Sequence, residues 1–247
     1  MLFFLRQIRR KAMKESKFST YLMYALGEFI LVVVGILVAV QIDDWSRDRE
    51  QERDELEVYQ LILEDLRRDS VLFGRYQAQT TLYLDTYYRL NYHTIGAGSL
   101  ADIPIDLVVS NIEFNPVTQN NHQASIDKLR NREVREQINV YFARLSTIKQ
   151  ATREFNGLIE RSSRPFFLLE NGLFKNEEVF NTEDRTFPPF RGVSVLDPQK
   201  FESIMQDQRF KPMISVLRMG IGYYLANLER TIEDNHALIT NLESKLK

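Results

Sequence analysis

An unbroken apolar run near the N-terminus dominates the hydrophobic pattern. Tyr21–Ile42 contains two strongly polar side chains, Glu28 and Gln41. At roughly 1.5 Å per residue a helix over this run reaches about 33 Å, which matches a bilayer core of about 30 Å. The pattern therefore predicts a transmembrane helix over 18–43.

An uncleaved anchor is favoured over a signal peptide, whose apolar region is about 7–15 residues long. Leu, Ile, Val and Phe side chains in the run contribute roughly −4 to −8 kcal/mol to insertion. A charge at mid-bilayer costs about 2.5–3.5 kcal/mol on the same scale. The apolar contribution is the larger one, so Glu28 does not prevent insertion.

Beyond the run, three stripes of apolar residues recur at helical spacing and predict long helices at about 46–92, 132–163 and 212–244. The first of these helices can continue directly from the transmembrane helix as a stalk, since no Gly or Pro lies between the two helices. Two irregular stretches, 94–121 and 173–196, are rich in Gly, Pro, Asn or Phe. For 173–196 a loop packed over the bundle is favoured over an exposed docking loop. The predicted fold class is all-α: a transmembrane helix followed by an extracytoplasmic helical bundle, 44–247.

Shorter elements are predicted between the long helices. A short helix at 103–112 has Asp102 as its cap, another lies at 122–130, and Asn131 can cap the helix that follows. Pro165 is expected to kink or end that long helix, with Phe166–Leu169 in the core and Gly172 as a stop. Asp197-Pro198 is expected to start a further helix, which runs to about residue 208.

Charge on either side of the run predicts the topology. Residues 1–17 carry six basic side chains and one acidic one, whereas the near flank after the run is mainly acidic. The positive-inside rule then places this basic tail in the cytoplasm and the C-terminal domain outside. Trp45 suits an anchor at the outer interface. Contact with lipid headgroups is expected from Arg6, Arg9, Arg10, Lys14 and Lys17.

Within the run, Gly35 and Ala39 lie within about 20° of Glu28 on a helical projection. Small residues four apart let a second helix approach closely, so this is the expected helix-packing face. Glu28 has two open interpretations. It packs against a partner helix or reaches the cytoplasmic interface, or it binds an ion or proton.

Candidate chemistry is sparse. The chain has no cysteine, which excludes disulfides and thiolate metal sites. His93, His122 and His236 lie in separate segments, and each is expected at a surface or half-buried position and not as a ligand. Gly96-Ala97-Gly98-Ser99 follows a predicted helix and lacks the strand–loop–helix context of a phosphate loop. The net charge of −2 does not indicate a nucleic-acid partner. No catalytic, cofactor or metal site is expected.

The stretch Gly27–Ile42, followed by Trp45, resembles the signature of an uncharacterised bacterial family of small, single-span membrane proteins. That pattern is a basic N-terminus, a Gly-Glu span ending in Gln-Ile and a nearby Trp. This chain has Asp43-Asp44 where the pattern has Asn-Asn. The resemblance implies a bacterial inner membrane location and a helical outer domain, and it implies no activity.

The sequence thus favours a membrane-anchored helical scaffold or interaction subunit without catalysis of its own. Its expected partners are the lipid bilayer and another membrane protein or further copies of itself, bound through the transmembrane helix. Two alternatives stay open. One is an accessory subunit of an ion-driven membrane complex that uses Glu28, and the other is an extracytoplasmic ligand-binding or sensor-like module.

Overall fold

The structure is a computed structural model that describes residues 18–93, 100, 102–174 and 196–247, without the side chains of 18–21 and 128. Within these ranges the chain is all-helical, as predicted, and has no strand. The helices are α1 (Phe18–His93), α2 (Thr118–His122), α3 (Arg132–Leu158), α4 (Pro198–Ile204) and α5 (Phe210–Lys245). The chain divides into unit 1, Met1–Glu57, and unit 2, Val58–Lys247.

In unit 1 the apolar run belongs to helix α1, and none of its described side chains is buried. The large hydrophobic side chains between Leu22 and Ile42 are 36–76% exposed. Among the described residues α1 is the one helix long and apolar enough to cross a membrane. The predicted helices at 18–43 and 46–92 are parts of this one element, because no Gly or Pro interrupts 36–73.

Unit 2 is built on the second half of α1 together with α3 and α5. Tyr83 of α1 contacts Phe155 of α3, with ring centroids 6.1 Å apart. Earlier in both helices, Tyr141 of α3 contacts Asp69 of α1. Earlier residues meet earlier ones and later residues meet later ones, so α1 and α3 run parallel. Helix α5 is antiparallel to both, since Asn235, late in α5, donates to the carbonyl of Leu66, which lies near the start of the bundle part of α1.

The predicted stripes form the core of unit 2. On α3 and its continuation the buried stripe is Val134, Ile138, Tyr141, Leu145, Ile148, Phe155 and Ile159, and on α5 it is Ile214, Leu217, Ile221, Tyr224, Leu228, Leu238 and Leu242. On α1 the stripe holds Tyr59, Leu63, Leu66, Phe73 and Tyr87, while Leu56 and Leu84 are half-buried. Each fully buried large side chain contributes roughly 1.5–3 kcal/mol, so these stripes supply the main stabilisation.

Pro165 was expected to kink or end the α3 region, and the helical path does not end there. The chain continues as π-helical segments, Ile159–Ser163 and Pro165–Glu170. Pro165 lies in the first turn of the second segment, where a missing N–H is tolerated. The segment then stops at Gly172, whose φ of +57° is accessible to glycine. Of the apolar residues predicted here as core, Phe166 and Phe167 are buried, whereas Leu169 is 80% exposed.

Several short helices differ from expectation. The predicted helix at 103–112 is a single 3₁₀ turn, Ile105–Val108, and Asp102 has a positive φ of 62° in place of capping it. The helix expected at 122–130 is replaced by α2 and a 3₁₀ turn, Ile126–Lys128. Helix α4 starts at the predicted Asp197-Pro198 cap but ends at Ile204, before the expected 208.

Candidate functional site

The helix-packing face predicted in the span lies on α1. Glu28, Gly35 and Ala39 are all exposed. A Cβ added to Gly35 would meet no atom within 4 Å, and the same is true at Gly27. This face is therefore open along its length, and nothing in unit 1 that the structure describes covers it.

The C-terminal end of the span carries two local interactions. The guanidinium of Arg49 lies 4.2 Å from the centroid of the Trp45 ring, which is 58% exposed. Two residues earlier, Arg47 and Asp43 form an exposed i,i+4 ion pair of 2.8 Å. An exposed indole beside a cation suits a headgroup region, where one end of the side chain is apolar and the other polar. The headgroup-contact residues predicted at Arg6, Arg9, Arg10, Lys14 and Lys17 lie outside the described residues.

In unit 2 the main polar feature is a ladder of α1 side chains that bind the connector, residues 102–131. Tyr87 donates to the carbonyl of Leu107 at 3.0 Å, and Tyr83 donates to the carbonyl of Asn111 at 3.1 Å. Further along, the hydroxyl of Tyr76 accepts from the backbone N–H of Asn115 at 3.2 Å. The connector therefore runs antiparallel to α1 as a largely non-helical fourth layer. Its backbone groups find partners on side chains, because no strand pairs with them.

Asp69 forms the next step of the ladder. Its fully buried carboxylate accepts the backbone N–H groups of Val117 (2.6 Å) and Thr118 (3.1 Å). These N–H groups open α2 and have no partner within that helix. Tyr141 of α3 also donates to Asp69, at 3.4 Å. A buried charge is stable where several donors surround it, and Asp69 meets this condition.

Asp65 forms the last step. It accepts from Asn121 (2.8 Å) and from Arg68 (3.0 Å), and His122 Nε2 lies 3.0 Å from its second oxygen. Arg68 also binds Glu64 at 2.7 Å, so the adjacent acids Glu64 and Asp65 share one arginine although they face different ways.

The histidines differ in their surroundings. His122 is 8% exposed, whereas a surface or half-buried position was expected. The reason is that α2 lies between α1 and α3, with Gln119 donating to the Phe142 carbonyl at 3.3 Å. His93 is half-buried, and the exposed His236 lies 3.4 Å from the Ser70 hydroxyl.

Asn235 connects the ladder to α5. Its amide donates to the Leu66 carbonyl and to the Tyr141 hydroxyl, each at 3.1 Å. Burial raises the pKa of Tyr141 far above its usual value, and the charge of Asp69 adds to the rise. Tyr141 is therefore neutral, and its hydroxyl donates a hydrogen bond to Asp69. Helices α1, α3 and α5 thus share one buried polar chain, Asp69–Tyr141–Asn235.

The ladder was not predicted as a unit. Its residues, Asp65, Asp69, Tyr76, Tyr83 and Tyr87, fall along one line of α1 at intervals of four or seven. Polar and aromatic side chains inside an apolar stripe were the available signal. The partners could not be found in the sequence, because three of the five side chains bind backbone groups, which every residue carries.

The arrangement is suited to holding the connector in place. Among the described residues no group of three or more His, Asp or Glu side chains could hold a metal ion. A shallow groove of about 330 Å³ lies between α3 and α5. It is lined by Glu133, Glu136, Gln137, Val140, Tyr141, Asp234, Ala237 and Leu238.

Comparisons with models of protein families, with characterised proteins and with solved structures find no match. The family resemblance of the Gly27–Trp45 stretch therefore stays a prediction.

Proposed function

We propose that this protein is a single-pass membrane protein that acts as a helical scaffold or interaction subunit. The observation that carries the proposal is the apolar half of α1. Its large hydrophobic side chains are exposed throughout, which an aqueous environment strongly disfavours at about 25 cal/mol per Å². A bilayer accommodates such a helix without cost to its backbone, since every N–H is bonded within the helix.

The span binds a second membrane helix through the face of Glu28, Gly35 and Ala39. Close approach at Gly35 is supported by the open space around its Cα. A carboxyl group facing lipid is unfavourable, and a partner helix with a hydrogen-bond donor relieves that cost. Unit 2 supports the same role, because its buried polar groups position backbone segments of the protein itself.

Purification of the tagged full-length protein from native membranes in mild detergent, with mass determination, tests the proposal. The expected result is a stoichiometric complex with a membrane protein or with further copies of this chain. Gly35→Leu should dissociate it, whereas Val33→Leu, on the opposite side of the helix, should not. A lone monomer in gently solubilised membranes would overturn the proposal.

The position of Glu28 favours one second candidate, an accessory subunit of an ion-driven membrane complex. Glu28 is the one acidic residue between Tyr21 and Ile42, and intramembrane carboxyl groups commonly take part in ion or proton movement. Glu28→Gln keeps the shape and the hydrogen-bonding capacity but removes the charge. If the purified complex assembles with this variant but loses its ion-dependent activity, the second candidate is supported. Unchanged activity would remove it.

A further inference from the structure

Helix α5 carries an exposed apolar strip near its N-terminus that the core does not use. Val216, Met219 and Tyr223 recur at i, i+3 and i+7 on the side facing away from the core. Their exposed fractions are 44%, 72% and 54%. The buried stripe of α5, by contrast, includes Ile214, Leu217 and Ile221. Since one apolar stripe suffices to pack this helix, the second strip has no role in the fold of unit 2.

A line of cationic and small residues borders this strip. Lys211, Ser215, Arg218 and Gly222 follow one another at i, i+4, i+7 and i+11, so they share a face. A Cβ added at Gly222 would meet no atom within 4 Å, which leaves this part of α5 open. Gly220, on the other side of α5, is instead covered by Phe155 and Leu158.

Arg218 is positioned so that it can bind an anionic group. Its guanidinium lies over the ring of Tyr88 on α1, 4.9 Å from the centroid, and Tyr88 is itself 44% exposed. Stacking on an aromatic ring limits the rotamers of arginine while its N–H donors stay available. No carboxylate among the described residues pairs with Arg218, whereas Arg209, the residue directly before α5, is bound by both Asp207 and Glu170.

We propose that these residues form a docking surface for an acidic amphipathic segment of a partner protein. We call it the α5 surface and define it by Tyr88, Lys211, Val216, Arg218, Met219 and Tyr223. Aromatic residues, methionine and arginine are the side chains enriched where proteins bind one another. Charge complementarity selects an acidic occupant, because the surface offers two cations and no acid.

The spacing specifies the occupant further. Lys211 and Arg218 lie seven residues apart, or about 10.5 Å along the helix axis. A helical segment with two carboxylates seven residues apart matches both, and its apolar residues between them meet Met219 and Tyr223. The proposal rests on the interaction role proposed above. It concerns unit 2 and not the span, so each can fail without the other.

A peptide titration on the full-length protein in nanodiscs of phosphatidylcholine tests the α5 surface. The probe is a fluorescent 15-residue amphipathic helix with Glu at two positions seven apart and Leu at the intervening i+3 and i+4 positions. Its control carries Gln in place of both Glu residues. The acidic peptide should bind threefold to tenfold more tightly than the Gln control peptide, and high salt should remove this difference in affinity.

Matched variants locate the binding. Arg218→Gln and Met219→Ser should each weaken binding of the acidic peptide severalfold, whereas Arg75→Gln, at an exposed cation elsewhere on α1, should not. Circular dichroism of each variant checks that the helices are retained. Equal affinity for the two peptides, or binding unaffected by Arg218→Gln, would overturn the proposal. Concentration-dependent self-association abolished by Met219→Ser, without peptide binding, would also overturn it by identifying a second copy as the occupant.

Discussion

The carboxylate of Asp69, fully buried on α1, accepts the backbone N–H of Val117 at 2.6 Å. This one contact joins the connector to a long helix at the point where α2 begins. The same carboxylate also accepts from Thr118 and Tyr141, so it joins three segments of unit 2: α1, the connector and α3.

Removal of this carboxylate should destabilise unit 2. Asp69→Ala removes the acceptor of two backbone N–H groups, that of buried Thr118 and that of half-buried Val117, at about 1–3 kcal/mol each. We expect a loss of about 3 kcal/mol in the free energy of unfolding, measured by denaturant titration of the full-length protein. Glu64→Ala, at an exposed carboxylate five residues earlier on α1, should change stability by no more than about 0.5 kcal/mol. Similar values for the two variants would contradict the role assigned to Asp69.

Two glycines of α5 make a matched pair. A Cβ at Gly220 would lie 3.1 Å from Phe155 Cδ2 and 3.3 Å from Leu158 Cδ1, inside a packed contact with α3. At Gly222 it would meet nothing within 4 Å. Alanine favours a helix over glycine by about 1 kcal/mol, so Gly222→Ala should be neutral or stabilising. Gly220→Ala should be less stable than Gly222→Ala by about 1–2 kcal/mol, because Phe155 is buried and must shift.

Thermal unfolding of the two alanine variants, followed by circular dichroism under identical conditions, compares them directly. A Gly220→Ala variant as stable as Gly222→Ala would show that α3 and α5 are further apart than described.

The buried tyrosines determine how the stability of the folded state responds to alkali. Burial raises the pKa of Tyr83 to about 12, and it also raises the pKa of Tyr87, Tyr141 and Tyr224. Since the unfolded value is about 10, the folded state favours the neutral phenol. The stability that depends on these neutral phenols is complete below pH 10, and it is lost as the pH rises through the pKa that the phenols have in the folded state.

Absorbance of tyrosinate near 295 nm measures this effect. These four tyrosines should titrate above the ordinary pKa of about 10, together with loss of helix. Tyr83→Phe should remove one late-titrating group while retaining the ring contact with Phe155. A single titration step near pH 10 for all tyrosines would contradict the burial of this group.

The absence of cysteine allows a clean test of topology. Ser16→Cys and Ala226→Cys each introduce one thiol, before and after the span. If the basic flank faces the cytoplasm, a membrane-impermeant maleimide should label Ala226→Cys on intact inner membranes and Ser16→Cys only after lysis. The reverse pattern would invert the proposed topology, and labelling of both before lysis would argue against a span.

Regular periodicity explains which parts of the fold could be predicted. The α3 and α5 stripes are buried as expected, because a heptad-like repeat of large apolar residues can be satisfied only on one side of a helix. Asn131 was likewise predicted as a cap, and its side chain accepts from the N–H of Val134 at 3.2 Å. These are local properties, which residues within one or two turns determine.

The connector could not be predicted in the same way. Its short helices were placed at 103–112 and 122–130, whereas α2 lies at Thr118–His122. The position of α2 depends on Asp69, which is 48 residues away from Val117 in the chain. The burial of His122 depends in the same way on Asp65. Contacts over such distances leave no periodic trace in a single sequence.

The sequence by itself determined the helical class, the apolar helix long enough for a bilayer, and the stripes that form the core, because each depends on the local order of side chains. Only the tertiary structure decided which polar groups meet inside unit 2 and which apolar residues, such as Met219, stay outside it. The physical reason is that the pairing of buried hydrogen-bonding groups and the exposure of apolar side chains both depend on how helices distant in sequence pack together.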